Sequence, residues 1–357
     1  MNDPDPFTPQ HPIASGGRLP RHRRLVPALL MALVVALAPR GAAAQEGTAL
    51  QAPSAAAGTG TEMPAPQAPE PVGTAAPDAA DATARAFGAF QRGYYLTAME
   101  LALPRAQLGD PAAQTLVGEL FASGLGVARS MEDAAFWYGQ AADGGNASAQ
   151  FKYGVMLLEG KYVKADPVKA RELMKKAADA GNAFAQFNHA QALVAAKPGD
   201  AGLLEALPYF EMAAEQGVPD AQYALAQIYS NTVGVPEQKR ARAREYMEKA
   251  ARAGFDTAQL DYAIWLIDGI GGPKDYATGY RWMKVAANRG NVVAQNRMAV
   301  LEINAIGTAG DPVEAAKWYI LSRRAGFVDR SLDDFYQGLT EDEQKRAIEA
   351  ANRFGKR

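Results

Sequence analysis

Cysteine is absent from the 357-residue chain. That single absence removes disulfides, thiolate catalysis, cysteine-based zinc sites and lipid attachment through a cysteine. Histidine is nearly as scarce: of three, His11 and His22 lie near the N-terminus and His189 stands alone in the remainder. A metal site built on paired histidines is excluded with it. Excess charge of one sign is also missing. The net charge is −2, and five Arg against two Asp in residues 1–44 leave −5 for the rest. Nothing in that balance suits nucleic acid.

No apolar run is long enough to cross a bilayer. The longest, residues 25–38, falls short of the roughly 20 residues required, and Pro27 and Pro39 interrupt its ends. Arg21, Arg23 and Arg24 precede it, and Ala42-Ala43-Ala44 supplies the small residues that a signal peptidase accepts. Residues 1–44 therefore read as a secretory signal cleaved after Ala44, with an uncleaved anchor facing the periplasm as the alternative. Leu25-Val26-Pro27 does not suit twin-arginine export. Residues 45–80 hold Ala, Pro, Gly and Thr, six prolines and only acidic charges (Glu46, Glu62, Glu70 and Asp78). Such a stretch buries too little to fold and reads as a disordered linker. A periplasmic or secreted bacterial protein, with no stable membrane insertion after cleavage, is the expectation.

What the chain has in abundance is a period. Gly109, Gly145, Gly181, Gly217, Gly254, Gly290 and Gly326 succeed one another at intervals of 36 or 37 residues. Five residues after each of the first six comes a glutamine preceded by alanine, from Ala113-Gln114 to Ala294-Gln295. Within each unit two apolar-periodic segments flank a short break, in the first unit near residues 111–123 and 131–143, which predicts an antiparallel helix pair. The second segment repeats a bulky pair: Trp137-Tyr138, Leu173-Met174, Tyr209-Phe210, Tyr246-Met247, Trp282-Met283 and Trp318-Tyr319. Small residues recur beside them, at Ala134 and its counterparts and in pairs such as Ala141-Ala142, so that helices pack closely while large side chains fill the gap. The first segment has its own small column, Gly118, Gly154, Ala190, Ala226, Ala263 and Ala299, predicted to mark the closest approach of the pair. The periodic glycine suits a left-handed helix end, and Asp110, Asn146, Asn182 and Asn291 suit the start of the next helix.

The Gly-x-Gly-Val turn at Gly124, the Trp-Tyr pair, the Ala-Ala-x-x-Gly end and the following Ala-Gln together resemble the Sel1-like repeat, a relative of the tetratricopeptide repeat, whose period of about 34 fits less well. The resemblance implies an all-α, right-handed α-solenoid of stacked antiparallel helix pairs, a Sel1-like or tetratricopeptide-like superhelix. Its repeats span residues 81–326: six full units from residue 110, preceded by a shorter helical pair. Residues 327–357 read as capping helices, the last opened by a capping box at Thr340 to Glu343.

Chemistry is hard to find. Gly124 and Gly126 lack the preceding strand and third glycine of a dinucleotide loop. His189 shares a column with Val117, Tyr153, Leu225, Tyr262 and Met298 and should face the interior. Because members of the resembled family have been considered as binders of cell-wall-related β-lactams, Ser-x-x-Lys and Lys-Thr-Gly are the motifs to seek, and neither occurs. The chain reads as non-enzymatic and without cofactor or metal.

Similarity to tetratricopeptide arrays implies that first helices turn their free side to a concave face. Counted from the small column, the inward positions are −6, −3, +1 and +4. They contain no Lys or Arg, which argues against a carboxylate clamp, and they gather Phe151, Phe184, Phe187, Gln191, Tyr223, Gln227, Leu260 and Ile264. An apolar, aromatic strip of this kind suits a protein or peptide partner; burial of the same side chains between tightly wound units is the competing reading. The resemblance implies an adaptor or regulator in envelope signalling or exopolysaccharide control, for instance docking on a membrane sensor kinase ectodomain. A scaffold within an envelope polysaccharide or secretion assembly, and a cell-wall-binding or cell-wall-acting protein, are the alternatives.

Overall fold

The computed structural model describes residues 79–355. The expected signal peptide and residues 45–78 of the expected linker lie outside the described residues. Among the described residues every regular element is a helix. The order is α1 (Ala79–Gln91), α2 (Tyr95–Gln107), α3 (Pro111–Ser123), α4 (Met131–Asp143), α5 (Ala147–Glu159), α6 (Pro167–Asp179), α7 (Ala183–Ala196), α8 (Asp200–Glu215) and α9 (Pro219–Asn231). There follow α10 (Glu237–Arg240), α11 (Ala243–Arg252), α12 (Asp256–Asp268), α13 (Tyr276–Asn288), α14 (Val292–Ile303), α15 (Pro312–Arg324), α16 (Arg330–Gln337) and α17 (Glu341–Arg353). Helices α1 to α9 each pack on the next, α9 packs on α11, α11 to α15 again each pack on the next, and α15 packs on α17, which makes the molecule an all-α solenoid of repeated helix pairs.

The pair ahead of the first full unit has helices of 13 residues each, as long as those of the units behind it. Its shortness lies entirely in the link over residues 92–94. The helix α1 starts at Ala79, two residues inside the stretch read as linker. The fourth unit departs in another way: the one-turn helix α10 sits in its connection, and the Arg240 guanidinium donates to the carbonyls of Val235, Ser230 and Thr232, satisfying backbone acceptors at the end of α9.

Repeated columns have repeated physical causes. All seven periodic glycines have φ between 86° and 90°, the left-handed conformation that an L side chain resists. At each, the glycine N–H and the N–H after it close back on carbonyls of the preceding helix. In the second unit, for example, Gly181 donates to Ala178 O (3.0 Å) and Asn182 to Ala177 O (2.9 Å). Asp110, Asn146, Asn182 and Asn291 then accept from the first free N–H groups of the next helix, while Val218 and Phe255, in the same column, offer no side-chain cap.

The Ala-Gln column finishes the same joint. The side-chain amides of Gln114, Gln150, Gln186, Gln222, Gln259 and Gln295 donate at 3.0–3.3 Å to Ala106, Ala142, Ala178, Ala214, Ala251 and Ala287, the carbonyls that already accept from the periodic glycines. All six glutamines are buried. Each ties the first helix of one unit to the end of the second helix before it, a bond worth about 1 kcal/mol net where a buried carbonyl is concerned.

The small columns mark close approach as expected. A Cβ on Gly118 would sit 2.8 Å from the Tyr138 ring, and Ala190, Ala226, Ala263 and Ala299 are fully buried in the equivalent places. The second member of every bulky pair lies in the core. At the C-terminal end α17 opens with its capping box, in which Glu343 N–H donates to Thr340 Oγ1 and Thr340 N–H to Glu343 Oε2. It buries Ala347 and Ala351, while Phe354 just beyond it meets Trp318 of α15 edge to face at 5.5 Å.

In the first, fourth, fifth and sixth units a turn glycine is seated on the unit before. A Cβ on Gly126 would lie 3.0 Å from the Leu96 nitrogen of α2, and one on Gly307 only 2.2 Å from the Tyr276 carbonyl oxygen of α13. The second glycine of the Gly-x-Gly turn is therefore a docking residue as much as a turn residue.

Candidate protein-docking face

Side chains of first helices of successive units meet along one face, and those that meet there come from columns −6, −3, −2 and +1. In the first two units Glu119 of α3 accepts from Lys152 of α5 and, at 2.8 Å, from Tyr138 OH of α4. Burial would raise the Glu119 carboxyl, but the Lys152 hydrogen bond and charge outweigh it and hold the group below its ordinary range. The Tyr138 phenol is pushed well above its usual value by burial and by Glu119.

Between the second and third units the contact is apolar. Phe151 of α5 and Phe184 of α7 stack with centroids 6.2 Å apart and planes 21° from parallel. Phe151 leans on the small cluster of Ala177, Ala178 and Ala185, whereas Phe184 leaves 59% of its surface in solvent. Phe187 turns inward, edge to face with Phe210 at 5.9 Å, and Gln191 is buried. His189 lies half-buried against Tyr209 at 4.7 Å, and its imidazole is held below the usual value by burial and then by Lys175.

Between the fourth and fifth units the contact is polar and closed. Tyr223 of α9 is 3% exposed, with its ring against Phe255 at 5.1 Å. Its hydroxyl donates at 2.9 Å to Asp261 of α12, which also accepts from Gln227 at 3.1 Å. Burial and the Asp261 charge push the Tyr223 phenol well above its usual range. Leu260 and Ile264 are half-buried against the apolar core of the fifth and sixth units.

Of the eight residues expected on a partner-facing strip, then, Phe184 is the exposed one. Tyr223 and Gln191 are buried, which removes them from direct contact with a partner; Phe151, Phe187, Gln227, Leu260 and Ile264 are half-buried. The reason is geometric. Columns −3 and +1 face the neighbouring first helix, so no residue in either is exposed, while columns −6 and +4, at the two ends of each helix, carry the open positions Ser148, Leu158, Phe184, Thr257, Val293 and Ile303. The expectation that this face lacks Lys and Arg also holds only for the four columns chosen. Column −2 brings Lys152, Asp261 and Arg297 to the same helices, and the pairing of Glu119 with Lys152, 33 residues on, was the available sign.

Other parts of the surface offer less. One crevice of about 240 Å3 is lined by Asp256, Gln259, Ala286, Arg289, Gly290 and Asn291, and Arg289 is already engaged with Asp256 and the Gly254 carbonyl. Among the described residues no three His, Asp or Glu side chains gather to hold a metal ion, and no helix is long and apolar enough to cross a membrane.

The family description Sel1 repeat matches six consecutive segments, residues 111–146, 147–182, 184–218, 219–255, 257–291 and 292–327. The chain belongs to the Sel1 repeat family. The six Sel1 segments begin where α3, α5, α7, α9, α12 and α14 begin, to within a residue. Among solved structures the chain is similar to a Sel1 repeat protein from Oxalobacter formigenes, with 27% identity and a TM-score of 0.55 over 70% of this chain and 99% of that one. It is also similar in fold to a protective antigen of uropathogenic Escherichia coli strains that displays an SLR fold, with 23% identity and a TM-score of 0.61. That match covers 78% of this chain and 61% of the antigen, so the chain spans about three fifths of its length. No curated protein matches the sequence. Sel1 repeats are generally protein–protein interaction modules, and Sel1-repeat proteins are generally non-enzymatic scaffolds.

Proposed function

We propose that the protein is an exported, non-enzymatic Sel1 adaptor that holds a partner protein or peptide on the first-helix face of its solenoid. The observation that carries this reading is Phe184, a large aromatic side chain 59% exposed on a face whose central columns are taken up by inter-unit contacts, and braced from behind by Phe151. Aromatic side chains presented on a rigid support are the usual anchors of protein contacts. The N-terminal sequence supports a periplasmic setting, and the partner is then an envelope protein, with a sensor kinase ectodomain as the regulatory version of the proposal.

The test is capture from periplasmic and membrane fractions by the purified protein, side by side with Phe184→Ser. Retention of a sensor kinase ectodomain that the variant loses supports the adaptor. Retention of export or polysaccharide machinery moves the reading to an assembly scaffold. If variant and parent retain the same proteins, this face is not the docking surface.

A further inference from the structure

The Phe151–Phe184 patch lies on the edge of the solenoid from which the N-terminal segment departs. The first helices start along one edge, at Ala79, Pro111, Ala147 and Ala183, because each unit repeats the same course. Phe184 is the second residue of α7 and Phe151 the fifth of α5, so both rings stand near the starts of their helices, on the side where α1 receives the chain. From α1 to α5 and α7 is two and three steps between neighbouring first helices, roughly 16–30 Å at the usual interaxial spacing.

The chain arriving at α1 carries a segment of suitable chemistry at a suitable distance. Residues 62–72 read Glu-Met-Pro-Ala-Pro-Gln-Ala-Pro-Glu-Pro-Val, with prolines at 64, 66, 69 and 71, and lie 7 to 17 residues ahead of Ala79. A chain of 7 to 17 residues spans at most roughly 25–60 Å, which is enough to bridge from Ala79 to the patch. Proline-rich segments present proline rings to exposed aromatic side chains at small entropic cost. The patch itself is two hydrocarbon rings, and Lys152 beside Phe151 is engaged with Glu119, so what the patch offers the segment is an apolar surface for its proline rings.

We propose that residues 62–72 dock on the Phe151–Phe184 patch of the same chain and occupy the first-helix face until a partner displaces them. The inference rests on the reading of that face as a docking surface and adds its regulation. Tethering gives the segment an effective concentration of order 1 mM, so a contact with a dissociation constant of about 1 mM fills the site half the time. A partner then needs only modest affinity to displace it, and the segment keeps the aromatic pair from weaker, unspecific contacts.

The absence of cysteine makes the test clean. In the full chain, Ala68→Cys is combined with Ser148→Cys, an exposed position one turn before Phe151 on the same face, and the rate of intramolecular disulfide formation is followed under mild oxidant. The expected result is a rate that falls about tenfold when Phe184→Ser is added. Replacing Pro64, Pro66, Pro69 and Pro71 by Ser, a change outside the folded repeats, lowers it similarly. A trapping rate that neither change alters overturns the proposal. Partner capture by the same variants separates the two readings: capture lost with Phe184→Ser while trapping is unaffected leaves the adaptor standing and removes the self-docking segment. Trapping that depends on Phe184 while capture does not removes the patch from the adaptor's site and keeps the self-contact.

Discussion

The boundary between the second and third units and the boundary between the fourth and fifth both start from column −3 of the first helix, yet Phe151 meets column −6 of the next unit and stays open while Tyr223 meets column −2 and is sealed. Where Phe184 meets Phe151, two hydrocarbon rings have no directional bond to draw them inward, and the outer ring stays in solvent. Where Tyr223 meets Asp261, a phenol hydroxyl reaches a carboxylate at 2.9 Å, Gln227 closes from the same side, and the ring is buried beneath them. The repeat backbone thus offers one column more than one partner in the next unit, and the chemistry of the side chains decides which it takes and whether the meeting place is surface or core.

That contrast can be broken most severely at its sealed end. Tyr223→Ala removes a fully packed ring and leaves Asp261 short of a donor, and a loss of about 3–5 kcal/mol is expected in a denaturant titration. A fall in the slope of the transition together with its midpoint would mean that the two halves of the solenoid now unfold separately. The joint common to both boundaries comes next. Gln186→Met and Gln259→Met, one at each boundary, remove the amide that bridges to the preceding helix, and each should cost about 1–2 kcal/mol, comparably in the two places; a large difference would show that open and sealed boundaries are held by different means.

The boundary between the first and second units supplies a pH-dependent third case. Glu119 is held below its ordinary range by Lys152 and Tyr138, so the stability it contributes is present above the unfolded-state value and disappears as pH falls through the lower folded value. Glu119→Gln should lower stability at neutral pH by up to about 1 kcal/mol and leave it nearly unchanged at low pH, so that the acid limb of stability against pH becomes flatter. The smallest effect belongs to the open patch: Phe184→Ser should shift stability by no more than about 0.5 kcal/mol, and a loss of several kcal/mol would place the ring in the core after all.

Most of the fold was legible because the features that specify it are local. A glycine at positive φ, an asparagine immediately before a helix and a small residue opposite a bulky pair each act over a short stretch of chain, so a 36-residue period exposes them. The candidate site was legible only at Phe184. Periodicity names a helix face but not how closely neighbouring units approach, and that approach is what buried Tyr223 and Gln191 and left the ends of the helices open. The glutamine column was visible as a pattern and silent as to cause, since its partner carbonyl belongs to the helix before it.

The seating of turn glycines on the preceding second helix gives the chain a direction in time. Gly126 needs α2 beneath it, Gly234 needs Leu204 of α8, and Gly307 needs α13, each about one period earlier in the chain. Contacts so near in sequence close rapidly. As the polypeptide becomes available for folding, N-terminus first, a unit so seated finds its platform already laid down and itself becomes the platform for the next. Growth then proceeds like masonry, course upon course, and a unit that fails to set stalls those that follow it while sparing those below.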